Sequence, residues 1–400
     1  MGLEGIRGIA AIMVALSHLL YVDLLTPEFN IPPFLRTIEG GHAGVLIFFV
    51  LSGYVIGWTN SRPFSPAAGR TYVWRRFVRL APIYYVAMLV TVAVYWFTGI
   101  PHAPRVIVPS LLGIQNYNDY FGLKLYPPLI NGALWSLNYE LLYYGLFLLL
   151  WRFEPRSVWV FGPALLAGAL GWFAPRVMPL FISSYASGWL FWAAGWWISK
   201  QPHAADADKF PQRIASWILL IVASYEISGI TRIFNVLGWY SRDSGMVAIC
   251  DLALLPAILL TIAGVTRRRL PHRGLLILLA WSICIVPAMG MVWTARLWSQ
   301  PPWVTGCAAI LLALIFLPLC STGWLLPFAW FGGISYAFYV VHFPLMYFAQ
   351  YLPFPKSSAL GFFERLPVWI ALAVGLAWLL ERRFQPSIKG RLMRPKTEIN

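Results

Sequence analysis

Long apolar runs dominate this sequence, and they constrain the fold more than any single motif does. A helix needs about 20 mostly apolar residues to cross a bilayer, and such stretches recur along the whole chain. The runs are continuous, whereas strands of a membrane β-barrel alternate apolar and polar residues over about ten positions. We therefore predict an all-α fold, a polytopic integral membrane helical bundle with about 10–12 transmembrane helices. The twelve candidate segments are residues 6–24, 43–58, 82–98, 133–151, 158–174, 181–199, 214–234, 245–265, 274–293, 304–320, 331–348 and 368–380.

The composition excludes several classes of protein. Of the 400 residues, 59% are hydrophobic and 11% are charged, whereas soluble proteins average about 25% charged residues. A soluble fold of this length cannot bury so much apolar surface, which excludes an ordinary cytosolic enzyme, a disordered chain and a secreted disulfide scaffold. The four cysteines all lie in apolar stretches without the spacing of metal ligands, so we predict no metal site.

The formal net charge of +15 indicates membrane topology rather than nucleic-acid binding. Basic residues accumulate in the cytoplasmic loops of membrane proteins, where anionic lipids attract them. If the N-terminus is cytoplasmic and twelve helices cross, most of the 30 lysines and arginines fall on the inner side. We therefore predict that both termini are cytoplasmic. Residues 1–385 then form the transmembrane domain, and residues 386–400 form a basic cytoplasmic tail.

The first segment carries two ionisable residues, Arg7 and His18, which are functional candidates because charge inside a membrane is costly. Eleven residues of α-helix leave a net rotation of about 20°, so both side chains share one face, about 16 Å apart along the axis. They would line one stripe that starts at the inner surface. A snorkelling Arg7 and a His18 that only packs between helices are the structural alternatives.

Glu140 lies in the fourth segment, about 10 Å below its outer end. His18 lies at a similar depth, so the Glu140 carboxylate could orient its imidazole and stabilise the protonated form. The alternative is that Glu140 is paired with a packing arginine or is buried in its protonated form. Residues 75–82 form a basic cytoplasmic loop in which Arg76 and Arg79 share a face if the loop is helical, and their guanidinium groups suit phosphate. A positive-inside cluster without a ligand would also explain these arginines.

The eleventh segment contains Ser335 and His342. Taken alone, a histidine at such a position is more often structural than functional. The remaining histidines, at positions 42, 102, 203 and 272, lie in loops or at the ends of segments and give little signal.

Five stretches of the chain occur in an order that is typical of one family. They are residues 3–10 leading to His18, the glycine- and phenylalanine-containing stretch 44–54, the basic stretch 75–82, residues 135–140, and residues 334–342. Together they resemble the membrane-bound acyltransferase family 3, which O-acetylates bacterial surface glycans and some antibiotics. The chain departs from the family where two successive carboxylates are common, because Leu141 follows Glu140. The family also usually has about ten spans.

The resemblance implies an O-acyltransferase of the bacterial inner membrane. Cytoplasmic acyl-CoA, most often acetyl-CoA, would be the donor, and its phosphates would meet Arg7, Arg76 and Arg79. The acceptor would be a hydroxyl of a glycan, a lipid-linked sugar or a small natural product. His18 would act as general base and Glu140 would orient it, without a metal. The matching stretches add supporting or substrate-binding residues, namely Ser52, Trp135, Ser136, Tyr139, Ser335 and His342.

Two alternatives remain open from the sequence. His18 could carry the acyl group transiently as acyl-histidine instead of acting as a base. The chain could instead be a transporter or flippase of a lipid- or polysaccharide-linked intermediate, which would favour inverted repeats. The sequence contains no convincing internal repeat.

Overall fold

The computed structural model describes residues 1–21, 40–101, 104–117, 119–204, 213–227, 246–293, 301–355 and 358–393. These residues are overwhelmingly helical, and the predicted all-α membrane bundle is confirmed. The strands among them form one two-stranded antiparallel hairpin, Asp119–Tyr120 with Leu123–Lys124. Three 3₁₀ segments, Leu129–Leu134, Ile249–Leu254 and Gly323–Leu325, each lead directly into an α-helix.

The described residues contain fifteen α-helices, numbered here in chain order. They are α1 (Gly2–Tyr21), α2 (Gly41–Thr59), α3 (Pro66–Thr98), α4 (Pro104–Leu111), α5 (Trp135–Phe153), α6 (Ser157–Phe173), α7 (Leu180–Ser199), α8 (Ile214–Ile227), α9 (Leu255–Thr266), α10 (Arg273–Trp293), α11 (Pro301–Ile315), α12 (Leu326–Gly332), α13 (Ser335–Gln350), α14 (Ala359–Leu379) and α15 (Gln385–Leu392). A π-helical segment, Leu380–Phe384, joins α14 to α15.

Each of the twelve predicted segments contains a helix, but fewer helices meet a strict criterion for a span. Within the described residues, seven are long and apolar enough to cross a membrane, or eight if the bent pair α12–α13 counts as one span. Helices α6, α8 and α11 are apolar but shorter. Helix α7 is rich in serine and tryptophan and buried along most of its length, so protein rather than lipid surrounds it.

Helix α3 begins much earlier than the apolar pattern predicts. The predicted segment starts at residue 82, whereas the helix starts at Pro66, where the Ser65 hydroxyl accepts a hydrogen bond from the backbone N–H of Ala68 at 3.2 Å. The predicted loop 75–82 is therefore wrong, because these residues lie inside α3. Consequently Arg76 and Arg79 do share one face of a regular helix.

Glycines allow the central helices to touch backbone to backbone. A Cβ on Gly53 of α2 would lie 1.9 Å from the carbonyl oxygen of Trp192 in α7, and one on Gly195 would lie 1.9 Å from that of Val50. Small residues at helix contacts are typical of membrane bundles, since association there depends on close packing. A glycine also lets α12 pack closely against α1, because a Cβ on Gly332 would lie 1.8 Å from the carbonyl oxygen of Glu4. Just after Gly332 the chain bends by 63° into α13.

The first turns of α1 and helix α15 lie at the same end of the bundle, since Arg7 and Lys389 contribute to one cavity. Helix α15 packs against α3, where Gln385 Nε2 donates to the carbonyl of Val78 at 2.7 Å and Trp74 Nε1 donates to that of Leu392 at 3.3 Å. Residues 386–392, predicted as the start of a tail, are therefore packed helix, and residues 394–400 lie outside the described residues.

Candidate active site

A cavity of about 790 Å³ opens at the end of the bundle where the first turns of α1 and helix α15 lie. Helices α1, α2, α3, α5, α13 and α15 surround it. Seven of the residues predicted from the sequence contribute to its wall, namely Arg7, Ser52, Arg76, Arg79, Ser136, Glu140 and Ser335. The structure therefore brings together residues from five stretches of sequence that span more than 300 positions.

Basic side chains outnumber acidic ones in the wall of the cavity. Arg7, Arg75, Arg76, Arg79 and Lys389 contribute to it. The carboxylates of the wall are Glu140 and Glu381. The cavity therefore carries an excess of positive charge, which favours an anionic ligand.

The arginines of the cavity differ in whether their guanidinium groups already have hydrogen-bond partners in the protein. Arg79 donates two hydrogen bonds to Glu381, at 2.8 and 2.9 Å, and lies 5.2 Å above the ring of Tyr336. Arg7 is paired with Glu4 one turn away at 3.2 Å. By contrast, Arg76 lies over the Tyr72 ring, and its buried Nε has no hydrogen-bond partner among the described residues. Of these three arginines, Arg76 is the one without a carboxylate partner among the described residues.

Glu140 is held by partners other than His18. Its Oε1 accepts hydrogen bonds from the Ser52 hydroxyl at 2.8 Å and from the Tyr144 hydroxyl. Ser52 in turn accepts a hydrogen bond from Trp192 Nε1 at 3.3 Å. The prediction that Glu140 orients the imidazole is therefore wrong for this structure, because the carboxylate is bound into the wall of the basic cavity.

His18 is instead paired with His342, in a part-buried hydrogen bond between His18 Nδ1 and His342 Nε2 at 2.8 Å. The two rings are 12° from parallel with centroids 5.1 Å apart, which at this N···N distance is an edge-to-edge arrangement in nearly one plane. The ring of Phe343 packs edge-on against His18, with centroids 4.8 Å apart. The structure therefore fixes the imidazole plane of His18 through α13.

The hydrogen bonds of His342 also assign the tautomers of both neutral rings. His342 Nδ1 lies 2.8 Å from the carbonyl oxygen of Tyr339 and 3.2 Å from that of Phe338. A carbonyl can only accept, so Nδ1 of His342 carries the proton and its Nε2 accepts. His18 Nδ1 must then be the donor, which leaves the lone pair on His18 Nε2. Nε2 has no hydrogen-bond partner in the described part of the chain.

The histidine pair adjoins the deep end of the cavity. Tyr339 contributes to the cavity wall, and its hydroxyl is 2.6 Å from that of Ser136. His342 follows Tyr339 by three residues, so it lies about 4.5 Å farther along α13. His342 is fully buried and His18 is partly exposed. Neither His18 nor His342 contributes to the cavity wall, so the pair lies next to the basic cavity, beyond Tyr339.

A family model described as an acyltransferase domain, that of acyltransferase family 3, matches residues 2–382. This chain belongs to acyltransferase family 3. The match covers the histidine pair and all of the cavity wall except the part that α15 and Met393 contribute, so it confirms the family that the motifs indicated and makes the protein a membrane acyltransferase.

Two curated relatives of this acyltransferase carry consistent names. The membrane-bound transacylase BcsY of Komagataeibacter xylinus is 23% identical over 370 residues, which cover 88% of this chain and 74% of that protein. The acyltransferase MdmB of Streptomyces mycarofaciens is 28% identical over 158 residues, 38% of each chain. No solved structure matches the chain.

Two of the predicted residues lie behind the site rather than in it. Tyr139 is fully buried and hydrogen-bonded through its hydroxyl to Ser184 at 2.7 Å. Trp135 packs edge-on against Tyr139 with ring centroids 5.3 Å apart. Neither of them contributes to the cavity wall.

Sequence reasoning missed Tyr144, Glu381 and Lys389. Tyr144 follows Glu140 by four residues, which on a helix places both side chains on one face, so a signal was available. Glu381 and Lys389 gave none, because their contacts with α3 and with the cavity depend on how α14 and α15 fold back.

Proposed function

We propose that the protein transfers an acyl group, in the first instance acetyl, from a cytoplasmic acyl-CoA to a hydroxyl of a glycan, a lipid-linked sugar or a small natural product. One observation carries the proposal: the buried His342 binds His18 Nδ1 and so leaves the lone pair on His18 Nε2, next to a basic cavity. We assign the bacterial inner membrane as its location, with the cavity open to the cytoplasm, where CoA is found.

The basic cavity suits the phosphate groups of CoA. Guanidinium groups bind phosphate through paired hydrogen bonds. Arg76 is the first candidate because it has no carboxylate partner among the described residues, and Arg7 and Arg79 lie in the same wall. The pantetheine arm would extend along the cavity and bring the thioester towards Tyr339 and the histidine pair. Glu140 Oε2, which has no partner among the described residues, would accept a hydrogen bond from an amide N–H of that arm.

The histidine pair supplies the acid–base chemistry. The acceptor hydroxyl would donate a hydrogen bond to His18 Nε2, which takes the proton as the oxygen attacks the thioester carbonyl. The carbon–sulfur bond then breaks, and the imidazolium returns the proton to the departing thiolate of CoA. His342 would act as a positioning residue, because it fixes the ring and the tautomer of His18 throughout the step.

Replacement of His18 tests the proposal. General acid–base catalysis contributes roughly 10²–10⁴-fold to the rate, so His18→Ala should lower acetyl transfer by about that factor. Binding of CoA, measured by calorimetry on monodisperse protein, should stay unchanged because the phosphates bind elsewhere. His203→Ala, at an exposed position outside the site, is the matched control. Near wild-type turnover in folded His18→Ala protein would exclude His18 as the base.

A further inference from the structure

A pair formed by a histidine and an aspartate lies outside the basic cavity. His42, the second residue of α2, places Nε2 2.9 Å from Oδ2 of Asp251 in the 3₁₀ segment before α9. The same carboxylate oxygen accepts a hydrogen bond from the backbone N–H of Ala248 at 2.9 Å, so Asp251 is anchored. The side chains of His42 and Asp251 are 19% and 15% exposed, which leaves both within reach of a ligand.

The contact with Asp251 assigns the tautomer of a neutral His42. A carboxylate accepts, so Nε2 of His42 carries the proton and Nδ1 keeps the lone pair. Among the described residues Nδ1 has no hydrogen-bond partner. The ring is further fixed by Trp135, whose plane is within 14° of parallel at a centroid distance of 6.5 Å. His42 therefore presents one oriented hydrogen-bond acceptor.

Two independent sets of contacts place His42 close to His18. A Cβ on Gly41 would lie 2.6 Å from that of Ser17, so the residues next to His18 and His42 touch where α1 meets α2. On the other side, Trp135 precedes Ser136, and the Ser136 hydroxyl is bonded to that of Tyr339, one turn from His342. Because Gly41 contacts Ser17, His42 lies at about the level of His18 along α1, roughly 15 Å from the level of Arg7.

A hydrogen-bonded polar pair in this position would add little to the stability of the fold if it only linked two elements. Taking two polar groups out of water costs about as much as the hydrogen bond between them returns, and ionisable groups inside a membrane are functional candidates by default. The acceptor of the proposed reaction needs a fixed orientation, because the attacking oxygen must lie in line with the thioester carbonyl. A single hydrogen bond from the reacting hydroxyl to His18 does not fix that orientation.

We infer that His42 and Asp251 form an acceptor subsite beside His18, in which His42 Nδ1 accepts a hydrogen bond from a second hydroxyl of a polyhydroxylated acceptor. This inference rests on the proposed function and narrows its acceptor to molecules with neighbouring hydroxyls, such as sugars. Asp251 is the positioning residue of the subsite, since it acts through the imidazole. No bond to the acceptor other than a hydrogen bond is formed there.

The experiment compares two probe acceptors on the full-length protein in lipid nanodiscs. CoA release from acetyl-CoA is measured with methyl β-glucopyranoside, which has several hydroxyls, and with 1-propanol, which has one. The wild type should prefer the glycoside in kcat/KM. The ratio of the two kcat/KM values should fall about tenfold in His42→Gln, which keeps a donor for Asp251 but lacks the ring nitrogen. His203→Gln should leave the ratio unchanged.

A second variant covers the case in which His42→Gln fails to fold. The double replacement His42→Phe with Asp251→Leu removes both polar groups and keeps apolar volume, which is often tolerated, and it should lose the preference as well. An unchanged ratio in either folded variant would overturn the subsite, as would a wild type without preference for the glycoside. Should neither variant fold, the wild-type preference decides. If acetyl-CoA binds but no CoA is released with any acceptor, the proposed function fails, and the subsite fails with it.

Discussion

At the scale of single residues, the orientation of the His18 ring depends on a hydrogen-bond partner 324 positions away. The sequence identified His18 because an ionisable group inside an apolar helix is unusual. It did not identify the partner, since only Glu140 was expected at the depth of His18, and the pairing with His342 depends on how α13 packs against α1. The candidates were thus predictable from the sequence, whereas their pairing was not.

Replacement of His342 tests that pairing. His342→Gln should lower kcat by about 10–100-fold, because His18 then loses the neighbour that fixes its tautomer and ring plane. The affinity for CoA should not change, since His342 does not contribute to the basic cavity. The measurement is single-turnover acetyl transfer together with calorimetry. A variant with normal kcat and a weaker affinity for CoA would show that His342 serves donor binding instead.

A second residue-scale prediction concerns Glu381, which occupies the guanidinium fork of Arg79. If a phosphate of CoA binds this fork, the carboxylate must compete with it. Glu381→Gln should therefore lower the unfolding free energy of the free protein by about 1–3 kcal/mol, because a largely buried arginine loses its counter-charge. CoA should bind more tightly than to the wild type and should raise the melting temperature by more. Weaker CoA binding would instead assign Glu381 the task of positioning Arg79.

At the scale of elements, apolar periodicity located the helices but not all of their ends. The N-terminus of α3 was missed because its first turns carry arginines, although Ser65 followed by Pro66 is a standard start signal. The bend at Gly332–Gly333 was missed because two glycines alone are a weak signal, and only the close approach to α1 explains them. Helix α15 looked like a polar tail, since its packing face is short.

The C-terminal helix provides an element-scale prediction with an internal control. Lys389 contributes to the cavity wall, whereas Arg391 on the same helix does not. Lys389→Ala should weaken CoA binding several-fold, and the loss should shrink at high salt because an exposed charge is screened. Arg391→Ala removes the same charge without that contact, so its CoA affinity should match the wild type. Equal losses in both variants would mean that α15 contributes only a general positive potential.

At the scale of the whole molecule, the contacts agree with the predicted alternation of the helices. His42, Trp135 and Asp251 lie at or just before the starts of α2, α5 and α9, which the charge distribution places outside, and the three side chains meet. Arg7 and Lys389, which it places inside, contribute to one cavity. Which helix ends share one side of the membrane thus follows from the apolar segments and their order. Which of the two sides is cytoplasmic rests on the distribution of basic residues.

Cysteine labelling in intact cells tests that direction. The background variant is Cys320→Ser, which removes the exposed native thiol. In it, Phe121→Cys should react with a membrane-impermeant maleimide, because Phe121 is 80% exposed at the turn of the hairpin that precedes the outer end of α5. Arg391→Cys should react only after the cells are opened, since α15 lies at the end with the basic cavity. The reverse pattern would turn the cavity outward, where CoA is absent, and the proposed donor would then have to be abandoned even though the fold stayed the same.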